Sequence, residues 1–256
     1  MTTGAANSGL ITELTTGLAF LTRLPVRGAS GRDGSLARAD WTFPIVGALV
    51  GAFGAVAFWA ADAVGLPPFV AGVLAVVATL FVTGALHEDG LADTADGFGA
   101  AVTRERKLEI MRDSRIGTYG VVALVLTILL RAGAVASLVE PALAAPALIA
   151  AHAAARATLP AFMRFVPRAR ADGLAAGAGQ PSMTGVIIAA FVGAMALAVC
   201  FDLVGMLVAL ALLVAAASFM AWLTLRQIGG QTGDVLGALE QTGEILVLLV
   251  AASVVT

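Results

Sequence analysis

The 256-residue chain is 59% hydrophobic and 12% charged, with a formal net charge of −2. A soluble domain carries about 25% charged residues, so the composition excludes one and describes a polytopic membrane protein, a single helical domain over 1–256. One cysteine, Cys200, and two histidines, His87 and His152, exclude a disulfide framework and a Cys- or His-rich metal site, and no nucleic-acid partner is expected.

The N-terminus MTTGAANSGLITEL has neither a basic n-region nor a small-residue cleavage site, so no cleavable signal is expected. Residues 7–22, with Ser8 as a candidate N-cap, predict an amphipathic or half-inserted helix at the membrane surface. A polar loop over 23–42 leads into the first span, Phe43–Val64, where Gly47, Gly51 and Gly54 suit close helix packing. Leu66–Leu86 is the second span, followed by a polar interruption over 87–116. Val121–Val139 and Ala142–Met163 are spans three and four, divided at Glu140 and Pro141. A basic, Gly-rich loop over 164–183 precedes Thr184–Phe201 and Leu203–Leu225, which are divided at Asp202. A second Gly-rich loop over 226–241 precedes a short last span, Glu244–Val255, which reaches bilayer length only by starting near Leu236. The expected fold is an all-α membrane bundle of about seven spans plus the N-terminal helix.

Charge placement sets the orientation. Arg23, Arg27, Arg32 and Arg38 precede span one. Arg104, Arg106, Lys107, Arg112 and Arg115 follow span two; Arg164, Arg168 and Arg170 follow span four; Arg226 follows span six. The alternate connections hold no Lys or Arg, so every basic loop is expected on the cytoplasmic side.

The polar interruption carries Asp89, Asp93 and Asp96, spaced four and then three apart, a single helical stripe within reach of one cation. Magnesium suits such a stripe, because it takes hard carboxylate oxygens and bridges to substrate phosphates. Arg112 and Arg115, three apart, suit two guanidinium forks on phosphate oxygens. Together these features suggest phosphoryl transfer. Glu109 and Asp113 read as ion-pair partners of neighbouring basic residues, and His87 as a proton donor, a ligand or a structural hydrogen-bonding group.

The second loop reads R-Q-I-G-G-Q-T-G-D-V-L-G-A from Arg226 to Ala238. Gly229, Gly230 and Gly233 can expose N–H groups at a helix start, an anion site, and Asp234 is a fourth candidate metal ligand. An ordinary junction between two helix caps explains the same residues equally well. Glu244, Arg131 and Arg156 lie within apolar spans, where charge is costly unless it faces a polar interior. Glu244 reads as a site residue or a surface-level cap, and Arg156 as a residue that snorkels to the surface.

The chain resembles the cobalamin synthase (adenosylcobinamide-GDP ribazoletransferase) family nearly end to end. The resemblance is carried by T-R-L-P at 22–25, F-P-I-V-G at 43–47 and H-E-D-G-L-A-D-T-A-D-G at 87–97. It continues with L-E-I-M-R-D-S-R-I-G-T-Y-G at 108–120 and G-G-Q-T-G-D-V-L-G-A at 229–238, followed by Glu244. The resemblance implies a magnesium-dependent, multi-pass enzyme of the cell inner membrane with its active-site loops facing the cytoplasm. Its substrates would be adenosylcobinamide-GDP and α-ribazole or α-ribazole 5′-phosphate, its products GMP and adenosylcobalamin or its 5′-phosphate. It leaves room for a homo-oligomer.

By the same resemblance Asp89, Asp93 and Asp96 become magnesium ligands, with Asp234 completing the site. Arg112 and Arg115 hold the diphosphate; Gly229, Gly230, Gln231, Thr232 and Arg23 contact substrate; His87 is the candidate for the acceptor's proton. Glu88 is not counted as a ligand, and Arg164, Arg168 and Arg170 receive no role.

Two other classes compete. A CDP-alcohol phosphatidyltransferase also uses a D-G-x-x-D type cluster, but its pattern has an Ala-Arg pair soon after the first D-G, whereas here the next Arg is Arg104. A membrane transporter would explain Arg131, but the acids cluster near one surface and no inverted repeat is visible.

Overall fold

The computed structural model describes residues 3–26, 35–170 and 178–255; Arg27, Arg32 and the middle of the 164–183 loop lie outside them. Helix α1 (Thr3–Leu21) is followed by a short α2 (Ser35–Ala39), a single 3-10 turn (Asp40–Thr42) and α3 (Phe43–Ala63). α1 begins before Ser8, so that residue is not its cap. Trp41 Nε1 donates to Glu13 Oε2 at 2.8 Å, fixing α1 against the entry to α3.

The remaining helices among the described residues are α4 (Pro68–Thr83), α5 (Leu86–Ala100), α6 (Arg104–Ile110), α7 (Thr118–Ser137) and α8 (Pro141–Phe165). They are completed by α9 (Met183–Cys200), α10 (Leu203–Ile228) and α11 (Gly233–Val255). Among the described residues six helical segments, Leu36–Ala63 and α7 to α11, are long and apolar enough to cross a membrane; α4 and α5 together make a seventh, bent by 93°. The chain is a multi-pass helical membrane protein.

Local chemistry explains the boundaries. Pro67 and Pro68 start α4, since the first helical turn needs no proline N–H. Ser182 and Asp202 cap α9 and α10 by accepting from Gly185 N and Gly205 N at 2.9 and 2.8 Å. The last helix is longer than the sequence suggests: it starts at Gly233, with Thr232 Oγ1 accepting from Val235 N at 3.3 Å.

The break after α4 is the feature that positions the site. Gly84 and Ala85 both sit in the left-handed region, at φ 65° and 56°, and end the helix. Arg23 N donates to Val82 O at 2.7 Å and its side chain lies over Gly84, so the T-R-L-P segment braces the bend. The polar stretch is thereby helical: α5 turns away from α4 and packs against α11 and α7.

Two apolar clusters hold the bundle. One, around Phe58, Val135, Leu148, Leu197 and Val247, joins α3, α7, α8, α9 and α11. The other, around Leu21, Phe43, Leu159, Ile228 and Leu239, joins α1, α3, α8, α10 and α11 at the end nearer α5. α3 and α8 meet backbone to backbone: a Cβ on Gly51 would come within 2.7 Å of Ile149 Cα.

Candidate active site

Gly90 of α5 and Gly237 of α11 let the two helices touch through their backbones. A Cβ on Gly90 would come within 2.9 Å of Asp234 Cα, and one on Gly237 within 2.8 Å of the His87 carbonyl oxygen. This contact brings Asp89 and Asp234 to the lining of one cavity of about 300 Å³. His87 and Arg170 supply its other titratable side chains; Phe20, Leu36, Phe43, Leu159, Met163 and Leu236 contribute apolar lining.

The four candidate acids differ in circumstance. Asp89 is exposed and Asp93 half-buried, and Asp93 lies in the electrostatic field of Asp234, Asp89 and Asp96. Arg170 is the cation that answers them, its Nη2 lying 3.4 Å from Asp234 Oδ2. Asp96 is buried, and its two oxygens accept from Gly117 N at 2.7 Å and Gly120 N at 2.9 Å. It fixes the start of α7, a carboxylate at a helix N-terminus.

The Gly-rich loop is mostly structural. Gln231 N donates to Pro167 O at 2.7 Å, Ala169 N donates to Gln231 O at 2.9 Å, and the Gln231 side-chain amide donates to Met163 O and Val166 O. Gly230 packs against the backbone of 167–169, and Gly229 is the left-handed cap of α10. Gly233, Asp234, Leu236 and Gly237 are the members of this stretch that line the cavity, while Thr232 caps α11 and contacts Asp234 Oδ2 at 3.1 Å.

Arg112 and Arg115 do not line the cavity, nor does Arg23. α6 stops at Ile110, so the two arginines do not share a helical face. Arg115 grips Asp113 with Nε and Nη2 at 3.0 and 2.6 Å, and these bonds push the Asp113 carboxyl down to about 2. Glu109 pairs with Arg106 at 2.7 Å. Arg164 and Arg168 donate to the carbonyls of Pro181 and Gly179, folding their loop.

Beside the cavity lies a buried polar network. Arg131 Nη1 donates to Glu88 Oε1 at 2.7 Å and to Gln241 Oε1 at 3.1 Å, while its Nε faces Glu244 Oε1 at 2.6 Å. Arg156 pairs with Glu240, and His152 Nδ1 lies 3.0 Å from Glu244 Oε2. Arg156 does not snorkel: it is 1% exposed, and the apolar cost of its charge is offset by Glu240. Glu244 is neither a surface cap nor cavity-facing but an internal ion-pair partner. His152, Glu240 and Glu244 are spaced closely enough to hold a metal, yet the guanidiniums of Arg131 and Arg156 already pair with both carboxylates.

His87 joins the two regions. Its ring lines the cavity, while Nδ1 faces Arg156 Nη2 at 3.3 Å and Glu240 Oε2 at 3.6 Å. Arginine has no acceptor, so a hydrogen bond from Arg156 makes Nδ1 the acceptor and leaves the neutral ring's proton on Nε2.

Sequence reasoning missed Arg170, Glu240 and Gln241. A signal for the network existed: His152 and Arg156 are four apart on α8, as are Glu240 and Glu244 on α11, and such pairs share a helix face. Arg170 had no comparable signal, because its loop has no periodicity.

The fold and site define a multi-pass helical membrane protein with a cavity at a helix break, lined by paired carboxylates beside a cation. Comparison with known proteins narrows this. Residues 13–252 match the family model described as Cobalamin-5-phosphate synthase, and the chain belongs to that family. It is 54% identical to the adenosylcobinamide-GDP ribazoletransferase of Bradyrhizobium diazoefficiens over 95% of this chain and 94% of the relative. Relatives of the same name from Mesorhizobium japonicum and Brucella ovis are 52% and 40% identical, over 92% and 94% of this chain and 90% and 96% of theirs. No solved structure matches.

Proposed function

We propose that this chain is an inner-membrane, magnesium-dependent adenosylcobinamide-GDP ribazoletransferase whose cavity opens to the cytoplasm. It joins adenosylcobinamide-GDP to α-ribazole or its 5′-phosphate and releases GMP. The observation that carries the reading is the meeting of Asp89 and Asp234, from motifs far apart in the chain, in one cavity with Arg170 and His87, within a match spanning 13–252.

A ribose hydroxyl oxygen of the acceptor bonds to the cobinamide-side phosphorus. The bond from that phosphorus to the bridging oxygen breaks, GMP leaves with that oxygen, and the hydroxyl proton passes to the released GMP phosphate or to water. Little covalent work falls to the protein; catalysis rests on position and charge. The donor set fits a hard cation, since Asp89 and Asp234 share the cavity lining and Asp93 lies in their field. A magnesium ion held by Asp89, Asp93 and Asp234 would neutralise diphosphate oxygens. Asp96 acts one step removed, by fixing α7 against α5. Arg170 supplies a second positive charge, and His87 offers an N–H to a phosphate oxygen rather than an acceptor for the hydroxyl proton. The absence of basic residues from the alternate loops supports the cytoplasmic orientation.

The test is purified protein in detergent or liposomes with adenosylcobinamide-GDP, α-ribazole 5′-phosphate and magnesium, with GMP and corrinoid product followed by chromatography. Product that stops with EDTA and returns with magnesium is expected. GMP release that persists in EDTA would remove the metal from the mechanism, and folded protein without product would remove the reaction.

A further inference from the structure

We infer that the cavity beside the acids is the pocket for the base of the ribazole acceptor, and that the guanosine and corrin parts of the donor bind outside it. This rests on the transferase reading above and adds which substrate occupies which space. The cavity, at about 300 Å³, is nucleoside-sized and too small for a corrin macrocycle with its side chains.

The chemistry of the lining chooses between the two nucleosides. Phe20 and Phe43 form a stacked pair, with ring centroids 6.3 Å apart and planes at 17°, and both line the cavity. Among the described residues its polar side chains are Asp89, Asp234, Arg170 and His87, which the reaction needs for the cation and the phosphates; no Ser, Thr, Asn or Gln side chain lines it. Guanine brings an O6, an N7, an N1–H and an amino group, each of which loses its water on entry and needs a partner. The dimethylbenzimidazole of α-ribazole brings two methyl groups and one free ring nitrogen, so apolar walls from Leu36, Leu159, Met163 and Leu236 suit it.

Position agrees with chemistry. With the base among the apolar residues, the ribose hydroxyls fall beside Asp89, Asp234, Arg170 and His87, where the donor's diphosphate must meet them. The pocket also gives α1 a purpose. Its last residues, Phe20 and Leu21, wall the cavity, so the N-terminal helix is part of the acceptor site.

The experiment varies both substrates in steady state and compares α-ribazole with its unsubstituted benzimidazole and α-adenine counterparts. Loss of the methyl groups should lower acceptor kcat/KM about tenfold or more, and the adenine analogue should fall further. Leu159→Trp, which fills the cavity, should raise acceptor KM at least about tenfold and leave donor KM within about twofold. Calorimetric binding of α-ribazole without donor should vanish in the same variant. If Leu159→Trp does not fold, Leu159→Ala should reduce the discrimination against bases bulkier than dimethylbenzimidazole. Acceptor kinetics indifferent to the base, or a rise in donor KM in place of acceptor KM, would overturn the assignment. Absence of GMP release by the wild type would instead remove the transferase reading; α-ribazole binding lost in Leu159→Trp would still support the pocket.

Discussion

Glu88 and Asp89 are neighbours in sequence and opposites in circumstance. Glu88 is 5% exposed and held by Arg131, whereas Asp89 is exposed and lines the cavity. The same division separates the two charged regions of the molecule. In the buried network Glu88, Glu240 and Glu244 each meet a guanidinium at 2.7 Å or less. At the cavity Asp89, Asp93 and Asp234 lie in one another's field with Arg170 as their nearby cation. Paired charge inside a bundle specifies helix register; incompletely paired charge at a cavity attracts a cation and, through it, phosphate.

The sharpest way to break this contrast is to remove a charge from each side. Asp89→Asn should cost about 10²- to 10³-fold in GMP release while the unfolding midpoint moves little, because the side chain supports no packing. Arg131→Met should do the reverse. It leaves Glu88 and Glu244 buried without a guanidinium, a loss of about 3–5 kcal/mol that shows as a lower unfolding midpoint and poor yield. Gly90→Ala tests the joint that assembles the cavity. Its Cβ would meet Asp234 Cα at 2.9 Å, so α5 and α11 must separate at a cost of about 1–3 kcal/mol, with turnover reduced as Asp89 and Asp234 move apart. The smallest effects concern the arginines. Arg170→Lys should slow turnover by more than Arg115→Lys, since Arg170 lies at Asp234 while Arg115 is 86% exposed and engaged by Asp113. The opposite order, read from kcat/KM of the two variants, would return the diphosphate to the 112–115 turn.

Much of this was legible in the sequence. The spans, the breaks between them at Asp202 and at Glu140 and Pro141, and the placing of the three aspartates on one helical stripe follow from periodicity and composition. The bend between α4 and α5 was not, because Gly84 reads like any helix stop and the left-handed Ala85 has no sequence signature. The role of Asp96 depends on where the start of α7 falls in space, which spacing cannot give. Gly229 and Gly230 illustrate the limit of motif reading. A phosphate loop and a tight helix junction demand the same glycines, and here the N–H of Gln231 already binds the backbone of 167. Arg156 shows the converse error, since nearness to a span's end says nothing about the face on which a side chain lies.

The most direct test of the division between the two regions is a paired measurement on Asp89→Asn and Glu88→Gln, prepared in the same detergent. GMP release and the thermal unfolding midpoint are recorded for both. The account predicts that Asp89→Asn keeps its midpoint and loses release, while Glu88→Gln lowers its midpoint and retains release below that temperature. Release surviving in Asp89→Asn, or abolished in Glu88→Gln with an unchanged midpoint, would contradict it.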